Sequence, residues 1–204
     1  MLTYLSRLFQ VVVSSVLLFA IVPETGYSQT YNYVYRNKAD SSYNCYLLVV
    51  PENDSIRGVI IRDYSSLPRS AKSPYQWFDL AMDNGFAVLY TVTSNYFPEL
   101  YYNDSGPELL DEMVHEAITI YDLPADQLFI GGISASGTRA LRYTIYCEQG
   151  KSKYKHKIKG TFSVDSPLDL ERFYYSAKRH EKRFRKGMLW EAQLMNKVFP
   201  EKLG

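Results

Sequence analysis

Ser134 lies in the stretch FIGGISASGTRAL, residues Phe129 to Leu141, where residue types and spacing could do chemistry. An apolar run meets Gly131 and Gly132, the serine follows between small residues, and a helical pattern begins at Ser136. A tight turn from strand to helix would strain the middle residue and point its side chain outward. Neighbours two places away must then be small, and here they are Gly132 and Ser136. The start of the helix would aim its unpaired N–H groups at the serine. That placement suits a nucleophile that attacks a carbonyl and an oxyanion that must be stabilised. The competing reading is a loop serine, or a phosphate cradle in another doubly wound fold. GGISASGT lacks the lysine of G-x-x-x-x-G-K-[ST] and does not match G-x-G-x-x-G, so the nucleophile reading is preferred.

The elements that must position this serine follow from hydrophobic spacing. Tyr43 to Val50 and Arg57 to Asp63 read as strands, the second a short β-branched run of the buried kind. Ser73-Pro74-Tyr75-Gln76 opens a helix with Trp77, Leu80 and Ala81 on one face, and Gly85 closes it. Phe86 to Val92 is a strand. After Pro107, Leu109, Leu110, Met113, Val114, Ala117 and Ile118 recur at helical spacing. Leu128 to Gly131 reads as a strand, Ser136 to Cys147 as a helix and Lys159 to Val164 as a strand. Ser166-Pro167-Leu168-Asp169 caps another helix. Alternating strands and helices predict an α/β chain, a mostly parallel doubly wound sheet with helices on both faces. Ligands of such a sheet sit at the carboxyl ends of its strands, where Ser134 is expected.

In that context the stretch resembles the nucleophile elbow of the α/β-hydrolase family. GISAS stands in the place of G-x-S-x-G, with Ser136 where the family has glycine and Gly137 just behind it. The lead-in DLPADQLFIGG is similar too, and the resemblance covers roughly Tyr43 to Arg172. It implies a serine hydrolase acting on a small ester or a peptide-like amide, through an acyl-enzyme at Ser134. It implies one oxyanion donor at the Ala135 N–H. A second would come from the loop after RGVIIRD, near Asp63, Tyr64 or Ser65, and is placed at Tyr64. The family often has His-Gly or Gly there, whereas this chain has DYSS. Asp165 directly follows the strand GTFSV, where some members carry the triad acid. Its alternative role is to bond backbone N–H groups in the turn before Ser166. No cofactor is expected, and no metal, because no cluster of His, Asp and Glu has ligand spacing.

Such a serine needs a base, and the base an orienting acid. His115 lies among Asp111, Glu112 and Glu116 and reads as an exposed residue paired with Asp111 one turn back. His156, inside KSKYKHKIK, reads as solvated. His180, inside KRHEKRFRK, reads as part of a charged helix. It is the only histidine late enough for the family's order of serine, acid, histidine. Beyond Asp165 the pattern is helical, LWEAQLMNKVFPEKLG included, and two further strands would take roughly 60–80 residues. The expectation is a domain incomplete at its C-terminus and impaired by loss of a late histidine.

At the other end, Arg7 precedes the apolar run Val11 to Val22, about 12 residues against the roughly 20 that a spanning helix needs. Pro23 closes the run, and Gly26-Tyr27-Ser28 offers small residues for cleavage. This is the layout of a secretory signal over residues 1–28. Residues 29–204 are then expected as one secreted or periplasmic domain without stable membrane insertion. Cys45 and Cys147 permit one bridge at most, and separately buried thiols are the simpler expectation. Charge is uneven: 6 basic and 14 acidic residues from Gln29 to Gly137, against 16 basic and 7 acidic from Thr138 to Gly204. The basic clusters carry no nucleic-acid motif, so they are read as solvated faces and no nucleic-acid partner is expected. A rival of another class is a non-catalytic exported module that binds carbohydrate or aryl groups. It would use Tyr96, Phe97, Tyr101 and Tyr102, rings whose alternative is to fold onto the core.

Overall fold

Strands that are apolar throughout can be buried on both faces, and such runs fill the middle of the sheet. The computed structural model describes residues 29–52, 55–68, 76–94, 105–181 and 193; for Gln76, Trp77, Leu170, Ala177, His180 and Glu181 it describes the backbone only. The strands are β1 (Gln29–Tyr35), β2 (Cys45–Pro51), β3 (Gly58–Asp63), β4 (Phe86–Val92), β5 (Leu128–Ile133) and β6 (Ile158–Val164). They form one sheet in the order β1-β2-β4-β3-β5-β6. β2 is antiparallel to β1 and β4, and all other pairings are parallel. Helices α1 (Gln76–Asp83), α2 (Ser105–Tyr121) and α3 (Ala135–Glu148) join successive parallel strands, and α4 (Leu170–Glu181) follows β6. The mostly parallel, helix-covered sheet expected from the sequence is the one that forms.

Alternation along β2 divides the core in two. Tyr46 and Leu48 face one side with Val59, Ile61, Leu89, Leu128 and Ile130, beneath the apolar stripes of α2 and α3. Leu47 and Val49 face the other side with Val88, beneath Phe78, Ala81 and Met82 of α1. Spacing i, i+3, i+4 thus selects Phe78, Ala81 and Met82; Leu80, expected on the inner face, is 64% exposed. On the α1 side of β5 and β6, Ile133, Phe162 and Val164 are exposed. β1 is an addition to the expected strands. Its tyrosines suit a half-buried edge, and it pairs with β2 along its whole length. Just beyond it, Arg36 bridges Glu112 and Glu116 of α2, each at 2.9 Å. The cap of α4 is Asp169, whose carboxylate accepts the Arg172 N–H at 2.9 Å. Ser166 instead donates its hydroxyl to the Val164 carbonyl. Cys45 and Cys147 are free thiols. The expected signal segment, the helix start at Ser73, the aromatic loop with Tyr96, Phe97, Tyr101 and Tyr102, and the helical run from Leu189, Gln193 apart, lie outside the described residues. Among the described residues no helix is long and apolar enough to cross a membrane.

A buried carboxylate fixes the turn before β6. Asp111 accepts from the Tyr143 hydroxyl at 2.9 Å, the Ser152 hydroxyl at 2.7 Å and the Lys153 N–H at 2.9 Å, and His156 Nδ1 lies 3.1 Å away. Two expectations are corrected here. His156 is 7% exposed, not solvated. Asp111 is paired with His156, not with His115, which stacks on Tyr154 with ring centroids 3.7 Å apart. The cause is alternation: Lys151, Lys153, Lys155, Lys157 and Lys159 are exposed, while Ser152 and His156 turn inward.

Loss of water acts to raise the pKa of Asp111. Hydrogen bonds from His156, Ser152 and Tyr143 outweigh that effect and hold the carboxyl below its usual range. A carboxyl lowered in the folded state stabilises the fold above its unfolded value, about pH 4, and loses that contribution as pH falls through the folded value. Asp111→Asn is therefore expected to cost about 2–4 kcal/mol near pH 7, because it disrupts a buried network. Urea denaturation at pH 7 and pH 3 checks this: the gap between variant and parent narrows at pH 3. An equal gap at both would show that the ionised carboxylate is not what stabilises the turn.

Candidate active site

β5 ends at Ile133 and α3 begins at Ala135, so one residue makes the corner. Ser134 makes it with φ 56° and ψ −131°, a backbone region that costs a side-chain-bearing residue about 1–3 kcal/mol. The residue is exposed, and its hydroxyl makes no capping bond to α3. Its N–H donates to the Val164 carbonyl of β6 at 2.9 Å, and its carbonyl accepts from the N–H groups of Gly137 and Thr138. Two glycines make room for the turn. A Cβ on Gly132 would collide with the Ser136 hydroxyl and lie 2.6 Å from that residue's carbonyl carbon. A Cβ on Gly137 would collide with the Ser166 hydroxyl and lie 2.8 Å from the Gly132 carbonyl oxygen.

Ser136, the departure from the glycine pattern, has a partner of its own. Its buried hydroxyl donates to the Asp63 carbonyl at the end of β3, at 2.5 Å. The Asp63 side chain is 3% exposed and accepts from the Thr91 hydroxyl at 2.9 Å and the Thr93 hydroxyl at 2.7 Å. Arg139, one turn into α3, closes the group with an ion pair to Asp63 at 2.5 Å. It also donates to the Thr93 hydroxyl and, at 3.1 Å, to the Tyr64 carbonyl. Burial pushes the Asp63 carboxyl up, against the opposing pull of Arg139 and the two threonines.

The residues singled out in the sequence can now be placed. Ala135 opens α3, where the first N–H groups find no carbonyl inside the helix. Tyr64 lies on the loop after β3, but its N–H donates to the Thr91 carbonyl at 2.9 Å. The parallel ladder extends one residue past β3, so the amide expected as the second oxyanion donor is already engaged, and Ser65 carries the next one. Asp165 is exposed, has φ 48°, and directly follows the residue that receives the Ser134 N–H. It therefore shares the rim with Ser134. His156 precedes β6 and lies at the opposite end of that seven-residue strand, roughly 20 Å away. His115 is held in its stack on Tyr154. Among the described residues, no histidine side chain meets Ser134, and no cluster of three His, Cys, Asp or Glu side chains is placed to hold a metal ion. In the sequence Thr93 and Arg139 do not stand out, and Asp63 reads as the last residue of a strand at the edge of the expected oxyanion loop. Their one local signal was a pair of charges, one closing a buried strand and one opening a largely apolar helix.

Gly132→Ala is expected to destabilise the protein by about 3 kcal/mol through overpacking at the corner. Equilibrium denaturation checks this; a loss below about 0.5 kcal/mol would show that α3 can shift to admit a methyl group.

No protein-family sequence profile matches the chain, and no curated protein sequence does. Solved structures do match. A fungal esterase from Rhizomucor miehei superposes with a TM-score of 0.55 at 16% identity, covering 93% of this chain and 60% of that one. Esterase B of Lactobacillus rhamnosis gives 0.53 at 14% identity, covering 95% of this chain and 64% of that one. An esterase of Pyrococcus furiosus gives 0.52 at 13% identity, covering 86% and 63%. The chain thus spans less than two thirds of the length of each. With its antiparallel second strand, its crossed strand order and its strained serine between β5 and α3, the chain has the α/β-hydrolase fold.

Proposed function

We propose that the protein is an exported serine hydrolase that cleaves a carboxylic ester through an acyl-enzyme at Ser134. The observation that carries this reading is the corner itself: an exposed serine held at φ 56° and ψ −131°, between a buried strand and the start of a helix. Strain of that kind persists where the surrounding structure over-determines it, and it clusters at reactive sites. Ester rather than amide is favoured because the structures that superpose on the chain are esterases. Export rests on the signal layout of residues 1–28.

In the proposed reaction the Ser134 hydroxyl oxygen bonds to the ester carbonyl carbon while its proton passes to a base. The carbonyl oxygen gains the charge and is met by the Ala135 N–H and by the Ser65 N–H of the loop after β3. The alcohol leaves with a proton, and water then releases the acid by the same steps in reverse roles. Asp165, on the same rim, is the proposed acid that orients the base. His115 and His156 are held elsewhere, which leaves His180, on α4, as the remaining histidine of this sequence. Oxyanion stabilisation and binding alone retain about 10³–10⁴-fold over water in triads stripped of a member, so turnover is expected to be measurable even without a histidine.

A fluorophosphonate probe tests the proposal. The full chain should be labelled on the peptide that contains Ser134 and should hydrolyse a short-chain p-nitrophenyl ester. Ser134→Ala should lose the labelling, and hydrolysis should fall to no more than the residual that oxyanion donors and binding alone supply, while the thermal midpoint is kept. A folded parent protein that is neither labelled nor active would sink the reading.

A further inference from the structure

The end of β3 is tied to α3 by more than sheet packing requires. Ser136 bonds the Asp63 carbonyl, Arg139 bonds the Asp63 carboxylate, and Arg139 also bonds the Tyr64 carbonyl. Thr91 and Thr93 bring the end of β4 into the same group. Arg139 is 7% exposed and Asp63 3%, so the pair is desolvated. Stability alone is a weak reason to keep such a pair, since well-packed apolar residues of similar volume often hold two elements equally well. Apolar residues cannot grip a carbonyl oxygen. Nor can lysine repeat the grip: guanidinium is a planar fork that reaches a carboxylate and a second acceptor together, whereas an ammonium is a point charge on a flexible stem.

The second acceptor is the informative one. The Tyr64 N–H continues the ladder to β4, yet the Tyr64 carbonyl is turned to Arg139 on α3. The peptide bond that follows is planar and trans, so fixing that carbonyl also fixes the direction of the Ser65 N–H. We propose that Asp63 and Arg139 are positioning residues: the ion pair holds the Tyr64–Ser65 peptide in one orientation relative to Ser134, and so sets the second oxyanion donor. The inference rests on the serine-hydrolase reading above. It assigns to a buried pair, neither member of which touches substrate, control over the amide that does. Ser136 acts with the pair, because its hydroxyl fixes the preceding peptide at the Asp63 carbonyl.

Two variants and two readouts test this. Arg139→Lys keeps the charge and loses the fork. Asp63→Asn with Arg139→Gln removes both charges together, and serves if the first variant does not fold. With a short-chain p-nitrophenyl ester, either variant should lose roughly 10- to 100-fold in kcat while KM stays within about twofold, as expected when a transition-state donor is misplaced. Hydrogen exchange should speed up at residues 64–67 and stay unchanged along β4 and β5. Unchanged kcat together with unchanged exchange at 64–67 in a folded variant would overturn the proposal. So would uniform acceleration across the sheet, which marks a purely structural pair. Should the parent protein prove inactive and unlabelled, the hydrolase reading fails by itself. Exchange at 64–67 then still decides whether the pair holds the loop.

Discussion

A serine forced into a positive-φ corner is the constraint around which this end of the molecule is arranged. The conformation costs about 1–3 kcal/mol, a sizeable share of the 5–15 kcal/mol that usually holds a domain together. It is imposed from three directions. β6 takes the Ser134 N–H through the Val164 carbonyl, the first turn of α3 closes back on the Ser134 carbonyl, and bare glycines on either side admit the close approach. None of these contacts uses the side chain, so the hydroxyl is left facing outward where the strands end.

The interior supports that corner with two kinds of force. Alternating apolar residues of the central strands seat α2 and α3 on one face and α1 on the other. Such packing is strong but non-directional, and it leaves helix rotation and loop orientation loosely specified. Directional polar groups do the rest. Near the start of α3, Arg139 meets the carboxylate at the end of β3. Further along the same helix, the Tyr143 hydroxyl meets the Asp111 carboxylate of α2. α3 is thereby keyed to the sheet at one point and to its neighbouring helix at another. The two carboxylates differ in outcome: burial raises Asp63 in spite of Arg139 and the hydrogen bonds from Thr91 and Thr93, whereas the hydrogen bonds from His156, Ser152 and Tyr143 outweigh burial and lower Asp111.

The Asp111 group also explains why two of the three histidines are unsuited to serve Ser134. His156 contributes to the wall between α2, α3 and the turn before β6, and His115 stacks on the tyrosine of that turn. The signal was present in KSKYKHKIK, where every second residue is lysine. Strict period-2 alternation means that one set faces water and the other faces in. Charge density alone predicts a solvated histidine, and the alternation overrides it. β1 is not legible in the sequence for a related reason: a tyrosine-rich edge strand has no continuous apolar run, and only pairing with β2 gives it a face.

Sequence alone settled which segments are strands and which are helices from Phe86 to Val164, because local hydrophobic period and turn residues encode that information within a few neighbours. It also located the serine and the small residues that flank it, since a sharp corner excludes side chains by volume. It did not determine that the Tyr64 amide is engaged by the Thr91 carbonyl, which histidine is buried, or that Asp63 and Arg139 meet. Those outcomes depend on residues tens of positions apart arriving at one point. Asp63 and Arg139 are brought together only when β3 and β5 pair in parallel and α3 returns over them. No local pattern carries that coincidence, and the assembled sheet decided it.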